Sequence, residues 1–258
     1  MEPLRIYVCV KHVPDSGATI TVEGGSRIAE NITFLINPYD EHALTAAAAL
    51  KAAHAPAEVV AVALGPEAAE GTLRSAMAMG ADRSLLIVSG ERLDSIMTAA
   101  ALKAAIAADG PPGIILGGKE AIDTEGKQTL FRLAAAFGMP VATNVVALAL
   151  EGRSARVECD QGGGAVDRLR LRLPCVIGAG RGLNTPKYPT FPDIVKARKK
   201  EVRRIELAAL GLPEPAGGAR IVALEPAVEA RAPRALTGSP AEIARRIVSI
   251  LQDEARVI

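Results

Sequence analysis

Tryptophan is missing from this chain, and only four phenylalanines and three tyrosines occur among 258 residues of which 49% are apolar. The core must therefore be built from Ala, Val, Leu and Ile, which suits aliphatic strands packed by Ala-rich helices and points to the α/β class. Cysteine is scarce as well. Cys9, Cys159 and Cys175 stand far apart and make no Cys-x-x-Cys pair, so the motif for a zinc site or a redox dithiol is lacking and reduced thiols in a cytoplasmic setting are expected. His12, His42 and His54 have no metal-ligand spacing. Excess charge of either sign is absent too: 30 Lys+Arg against 29 Asp+Glu leave +1, which argues against whole-chain attraction to nucleic acid or an anionic membrane. No apolar run reaches membrane-spanning length, and the opening MEPLRIYVCVKHVPD lacks the basic-then-apolar pattern of a signal peptide, so a mature soluble chain starting near Met1 is expected. There is no Gly-x-Ser-x-Gly elbow and the carboxylates are scattered, so no catalytic residues are expected.

What is present is an alternation of strand and helix. Leu4 to Val10, Thr33 to Ile36, Val59 to Leu64, Ser84 to Val88 and Gly113 to Gly117 read as short buried strands. Helical stretches run from Glu41 to Ala53, Ala68 to Met79, Asp94 to Ala108 and Lys127 to Ala136. That order predicts a doubly wound, mostly parallel, Rossmann-like sheet of the adenine-nucleotide-binding type, with ligands at the strand C-termini. From Asn144 the pattern becomes antiparallel, through Val145 to Leu150, Ala155 to Cys159 and the alternating Leu169-Arg170-Leu171-Arg172-Leu173, with Pro174 to Ile177 as a further core strand. A Pro-rich loop, Pro186 to Pro192, then precedes a basic helix expected over Asp193 to Arg204. Residues 1–211 form the expected nucleotide-binding domain. Residues 212–258 form an extended arm, with Gly/Pro/Ala-rich connections over Leu212 to Ala219 and Arg231 to Pro240, and a terminal helix capped by Ser239 and Pro240.

Two loops sit where such a sheet binds ligands. One is Gly117-Gly118-Lys119-Glu120-Ala121-Ile122-Asp123-Thr124-Glu125-Gly126-Lys127-Gln128-Thr129, between a strand and a helix, where glycine admits close backbone approach and helix N–H groups attract phosphate. It is neither a Gly-x-Gly-x-x-Gly fingerprint nor a Walker loop, and an ordinary strand-to-helix connection is an equally good reading of it alone. The other is Asn37-Pro38-Tyr39-Asp40, for which simple helix capping is the better reading of Asn37 and Asp40 taken singly. With Cys9-Val10-Lys11 these loops could make one adenine-nucleotide cleft. Farther along, Lys196, Lys199 and Lys200 make a basic face of the kind that is usually just solvated surface, but Phe191 in the stiff proline-flanked loop beside them gives an apolar tip ringed by positive charge, which suits a docking anchor.

The sequence resembles the beta (small) subunit of electron transfer flavoproteins. The resemblance is carried by Val8-Cys9-Val10-Lys11, Asn37-Pro38-Tyr39-Asp40, Ala76-Met77-Ala78-Met79-Gly80-Ala81-Asp82-Arg83, Gly118-Lys119-Glu120-Ala121-Ile122-Asp123 and the stretch from Leu183 to Lys200. The resemblance implies a heterodimer with a larger alpha subunit that carries most of the FAD site. It also implies nucleotide contacts at Cys9, Asn37 to Asp40, Leu64 and Gly118 to Thr129. It implies AMP in that pocket, or a second FAD in flavin-bifurcating members. Ser16 stands where single-flavin members often place an aromatic facing FAD, Asp160 is the candidate contact to the alpha subunit, and Phe191, with Tyr188 beside it, replaces the usual Leu anchor for a partner such as an acyl-CoA dehydrogenase. A reading from another class, a stand-alone adenine-nucleotide-binding or ATP-cleaving protein, would need a Ser-Gly-Gly-rich turn after the first strand, and Lys11-His12-Val13-Pro14 is not one.

Overall fold

The computed structural model describes residues 3–29, 31–212, 221–225 and 233–258. The chain begins with β1 (Leu4–Cys9), whose middle residues are fully buried. A short excursion follows: β2 (His12–Pro14), the small hairpin of β3 (Val22–Glu23) and β4 (Arg27–Ile28), and β5 (Phe34–Ile36), which pairs back on β2. Then come α1 (Pro38–Ala53), β6 (Ala57–Gly65), α2 (Ala69–Ala78), β7 (Arg83–Val88), α3 (Ser95–Asp109), β8 (Ile114–Gly118) and α4 (Thr129–Phe137). Pro38 at the first turn lets α1 start earlier than the apolar pattern suggested, because the N–H it lacks would have no helical partner there. Asp94 caps α3, accepting from the N–H groups of Ile96 and Met97 at 3.0 and 2.9 Å, and Gly138 in the left-handed region closes α4.

Side-chain alternation along the strands decides which helix goes where. Ile6, Val8, Ala61 and Ala63 point to one face and are covered by Leu44 and Leu50 of α1 and Leu73 and Met77 of α2. Tyr7, Val60, Val62 and Leu85 point to the other and meet Leu102 and Ile106 of α3 and Leu130 and Leu133 of α4. Each fully buried leucine here, such as Leu44, Leu73 or Leu133, contributes about 2 kcal/mol. Tyr7 is completely buried, and its hydroxyl donates to Asp109 Oδ2 at 2.8 Å, beside the ion pairs of Arg83 with Asp109 (2.7 Å) and Glu58 (2.8 Å). Burial and the Asp109 charge both raise the Tyr7 pKa.

The second half supplies β9 (Val141–Glu151), β10 (Ser154–Gly162), β11 (Ala165–Arg172), β12 (Cys175–Ala179), α5 (Phe191–Ala197) and β13 (Val202–Glu206). The main sheet has nine strands in the order β11-β10-β9-β12-β8-β1-β6-β7-β13. Every pairing from β9 to β13 is parallel, and β9-β10 and β10-β11 are antiparallel. The expected α/β architecture is what the chain adopts. Strand β9 is longer than expected: it pairs with β12 near Val141 and with β10 farther on, and Asn144, at φ 53°, marks the irregularity between the two partners.

The basic helix expected over Asp193 to Arg204 does not exist in that form. Helix α5 ends at Ala197, and Arg203 and Arg204 lie in β13, an edge strand parallel to β7. The cause is local. Arg74 of α2 donates to the carbonyls of Ala197 (3.1 Å) and Lys200 (2.6 Å), and Lys200 Nζ donates to those of Met77 (2.9 Å) and Ala81 (2.6 Å), so the chain is drawn across the end of α2 and into the sheet. The terminal helix is α6 (Pro240–Ser249), started by a capping box between Ser239 and Glu242 as its sequence suggested. Of the Gly/Pro/Ala-rich connections expected over Leu212 to Ala219 and Arg231 to Pro240, residues 213–219 and 231–232 lie outside the described residues. Within the arm, the Leu224 N–H donates to the carbonyl of Gly25 at the tip of the β3-β4 hairpin.

Candidate functional site at the sheet switch point

Strand β1 is followed in the sheet by β6 and β7 on one side, and the chain then crosses to place β8 on the other. The strand order therefore reverses between β1 and β8, and a crevice opens outside their C-terminal ends, where doubly wound sheets bind ligands. Lys11 follows β1 there, and Gly118 to Thr129 follow β8. The N-terminus of α1 lies against both.

Asn37 and Asp40 are what hold these pieces together. Asn37 stands at the N-cap of α1, yet its side chain makes no capping bond. Its Nδ2 donates to the Glu120 carbonyl at 2.8 Å, and its Oδ1 accepts from the Ile122 N–H at 3.1 Å. Asp40 accepts from the Lys11 N–H (2.8 Å) through Oδ2 and from the Gly118 N–H (2.7 Å) through Oδ1. The capping reading is thus overturned: both side chains face across the crevice and satisfy backbone groups of β1 and β8. Asn37 and Asp40 are almost wholly buried, as such groups can be only when paired. Burial pushes the Asp40 carboxyl up to about 7 even against the two N–H donors and the Lys11 charge, which pull it down.

Gly118 is required by this packing. A Cβ there would lie 2.5 Å from Tyr39 Cβ and 2.6 Å from Asp40 Oδ1. Beyond it, Lys11 Nζ contacts both oxygens of Asp123 at 2.7 and 2.8 Å, with Arg92 at 3.8 Å from Oδ2. Lys119 Nζ lies over the Tyr39 ring, 5.2 Å from its centroid. Glu120 stands between Lys119 and Lys127; burial raises its pKa, but the two ammonium groups outweigh that and hold it below the usual carboxylate range. Glu125 and Lys127 both adopt positive φ, 48° and 54°, in the loop that leads into α4. Left-handed backbone at non-glycine residues is strained and gathers at ligand-binding loops. The crevice therefore offers main-chain amides, a helix N-terminus, and the cations Lys11, Arg92, Lys119 and Lys127 at the ends of two adjacent strands.

Cys9 ends β1 beside this crevice. Burial first, and the Asp40 charge second, push its thiol up to about 12, so it offers packing and not a nucleophile. Leu64, half-buried near the end of β6, lies one strand further along the same sheet edge. Sequence reasoning overlooked Arg92, which sits in an unremarkable loop after β7 and carries no motif. It also passed over the contact partners of His12, whose ring stacks on Phe34 at 4.5 Å and whose Nδ1 lies 2.6 Å from Thr72 Oγ1. Burial lowers the His12 pKa.

The domain profile described as the electron transfer flavoprotein domain matches residues 26–210. The chain belongs to the electron transfer flavoprotein family. It is 35% identical to the electron transfer flavoprotein subunit beta of Bacillus subtilis (strain 168) over 259 residues, covering 99% of this chain and 100% of that protein. It is 36% identical to the Homo sapiens protein of the same name over 218 residues, covering 82% and 85% of the two chains. The Bradyrhizobium diazoefficiens counterpart is 35% identical over 211 residues, 81% and 84%. The likeness expected from short motifs thus extends along the whole chain, and it is to beta subunits.

The remaining residues singled out in the sequence lie elsewhere. Ser16 is exposed in the turn after β2, which Asp15 organises by accepting from the Gly17 N–H at 2.9 Å. Asp160, exposed near the end of β10, accepts from the Gly162 N–H at 2.8 Å and so shapes its own turn, while its carbonyl accepts from Asn144 Nδ2. Tyr188 and Phe191 are 74% and 78% exposed, and Phe191 opens α5, where Thr190 and Asp193 form a capping box. Lys196 and Lys199 are exposed beside them, whereas the Lys200 ammonium is engaged by the carbonyls of Met77 in α2 and of Ala81 just after it. Among the described residues no group of three His, Cys, Asp or Glu could hold a metal, and no helix is long and apolar enough to cross a membrane.

Proposed function

We propose that this chain is the beta subunit of a heterodimeric electron carrier, that it holds AMP in the crevice between β1 and β8, and that it completes one side of an FAD site carried by a larger alpha subunit. The observation that carries the reading is the joint anchoring of the β8 loop by Asn37 and Asp40. That anchoring brings Lys11, Glu120 and Asp123 into one cleft at the switch point of the sheet. The residues present fit an adenylate: Gly118 lets α1 close against β8 to form the floor, the loop before α4 offers amides to phosphate, and Tyr39 and Leu64 offer apolar surface. FAD, when bound, supplies one-electron chemistry; this chain supplies position and a water-excluding wall beside it. Residues 212–258 then serve as an arm that packs on the alpha subunit, with Asp160 as a second contact. Phe191, with Tyr188, Lys196 and Lys199, docks an acyl-CoA-type dehydrogenase or a similar redox partner. A cytoplasmic setting agrees with three unpaired thiols.

In the flavin-bifurcating alternative the same cleft holds a second FAD: Ser16, small and exposed, stands where the resemblance places an aromatic against the first flavin and favours it, whereas Thr124-Glu125-Gly126-Lys127-Gln128 lacks the Gly-Asp-Thr-Ala-Gln run of bifurcating members and favours AMP. Co-expression with the cognate alpha chain and quantitation of released nucleotides separates the two. One FAD and one AMP per heterodimer supports the leading reading and two FAD the alternative; no bound nucleotide eliminates both. Phe191→Ala should slow electron transfer from the dehydrogenase by about tenfold or more, as loss of a buried aromatic anchor does, without loss of FAD. Unchanged kinetics would remove the docking role.

A further inference from the structure

Among the described residues one buried side-chain oxygen lacks a hydrogen-bond partner, Oε2 of Glu120. The Glu120 side chain is 9% exposed. Lys119 Nζ lies 3.5 Å from Oε1, and Lys127 Nζ lies 3.2 Å from Oε2. The second contact is within ion-pairing distance but lacks hydrogen-bond alignment, and the Lys127 side chain is mostly in solvent. Burying a carboxylate oxygen without a directed donor is unfavourable, and native structures seldom leave one so unless a ligand completes it.

The position of Glu120 restricts what that donor can be. Its backbone is fixed by Asn37 at the tip of β8, and its side chain reaches toward Lys127, two residues before α4. A phosphate drawn to the N-terminus of α4 would be repelled by direct contact with a carboxylate. In a nucleoside 5′-phosphate the donors nearest the phosphate are the ribose hydroxyls, and the adenine amine lies at the far end. Lys127 covers Oε2 in the structure, but its exposed ammonium is free to turn toward a phosphate and uncover it. We propose that Glu120 is a specificity residue: its Oε2 accepts a hydrogen bond from a ribose hydroxyl of the bound nucleotide, while Lys127 passes from Glu120 to the phosphate. The inference rests on the adenylate reading of the cleft and adds to it a selection for ribonucleotides over deoxyribonucleotides.

The test uses the heterodimer, freed of its beta-site nucleotide and titrated calorimetrically with AMP, 2′-deoxy-AMP, 3′-deoxy-AMP and IMP, for the wild type, Glu120→Gln and Glu120→Ala. The wild type should bind AMP about tenfold more tightly than at least one deoxy analogue, the usual scale of a hydrogen bond to a charged acceptor. That ratio should shrink in Glu120→Gln and approach unity in Glu120→Ala. Retention of FAD in Glu120→Gln confirms an intact fold. Equal wild-type affinity for AMP and both deoxy analogues, or a ratio that persists in Glu120→Ala, overturns the assignment while leaving the adenylate site standing. A Glu120-dependent loss on IMP instead makes the adenine amine the donor and also overturns it. If AMP fails to bind to any version, the adenylate reading falls and takes this one with it.

Discussion

Helices α1 and α6 are both well specified at their starts, but only one of them is used by the body of this chain. Helix α1 is Ala-rich and weakly amphipathic, and seven of its residues are buried, from Asp40 to Leu50. Helix α6 is strongly amphipathic and no residue of it is buried. Ile247 and Val248 are exposed, and Ile243 and Ile247, four residues apart, share one apolar face. A helix wedged against a sheet needs small residues and close approach; a helix with a narrow apolar stripe and a charged back needs a separate surface to lie on. The first therefore builds the crevice between β1 and β8 from within, and the second, on the reading proposed above, is the surface offered to the alpha subunit.

The difference is broken most severely at the contact between α1 and β8. Gly118→Val places a branched side chain where even a Cβ would meet Tyr39 and Asp40 at 2.5 and 2.6 Å. Backbone must move, so a loss of about 3 kcal/mol or more is expected in urea denaturation, together with loss of the beta-site nucleotide. A variant with wild-type stability and nucleotide content would mean that α1 is not held as described. A subtler probe of the same contact is pH. Asp40, raised to about 7 in the folded protein, takes up its proton more readily folded than unfolded. Its contribution is therefore fully present below the ordinary Asp range near pH 4 and is lost as pH rises through 7. Compared with Asp40→Asn, the wild type should lose relative stability between those limits, by at most about 1.4 kcal/mol per pH unit. A difference that is flat or grows with pH contradicts this.

Much of this was legible in the residues. Runs such as Val59 to Leu64, closed by Gly65-Pro66, left little choice but a buried parallel strand, and Ser239 and Glu242 announced α6. The split of the basic segment after Ala197 was not legible, since Lys, Arg and Glu favour a helix locally. What overrides that preference is a set of carbonyl contacts from Arg74 and Lys200, more than a hundred residues apart in sequence. The cleft shows the same division. Its loops were located by their places after strands, but the direction in which Asn37 and Asp40 point depends on the β8 loop being present opposite them. Their residue types fit a helix cap equally well. Arg92 carried no signal at all.

Asn37→Ala sharpens the point at smaller scale. It removes the donor to Glu120 and the acceptor for Ile122 at a buried side chain, and a loss of about 2 kcal/mol is expected. Had Asn37 been only a cap, the cost would sit near 1 kcal/mol, and the nucleotide would be retained. Paired measurements of stability and bound nucleotide distinguish the two roles, because only the bridging role couples them.

The smallest effect on the chain itself is expected from α6, and its smallness is informative. Ile247→Asp changes a side chain that is 44% exposed, on a helix with no buried residue, so the isolated protein should keep its stability to within about 0.5 kcal/mol. Co-expressed with the alpha subunit, the same variant should yield less heterodimer, because a charge then replaces an apolar residue in the middle of a covered stripe. A matching change on the polar back of the helix, Arg245→Glu, controls for helix propensity and for charge. Destabilisation of the isolated chain by Ile247→Asp would place α6 on its own domain. Undiminished assembly would show that the stripe faces solvent even in the heterodimer, and the contrast with α1 would then reduce to composition alone.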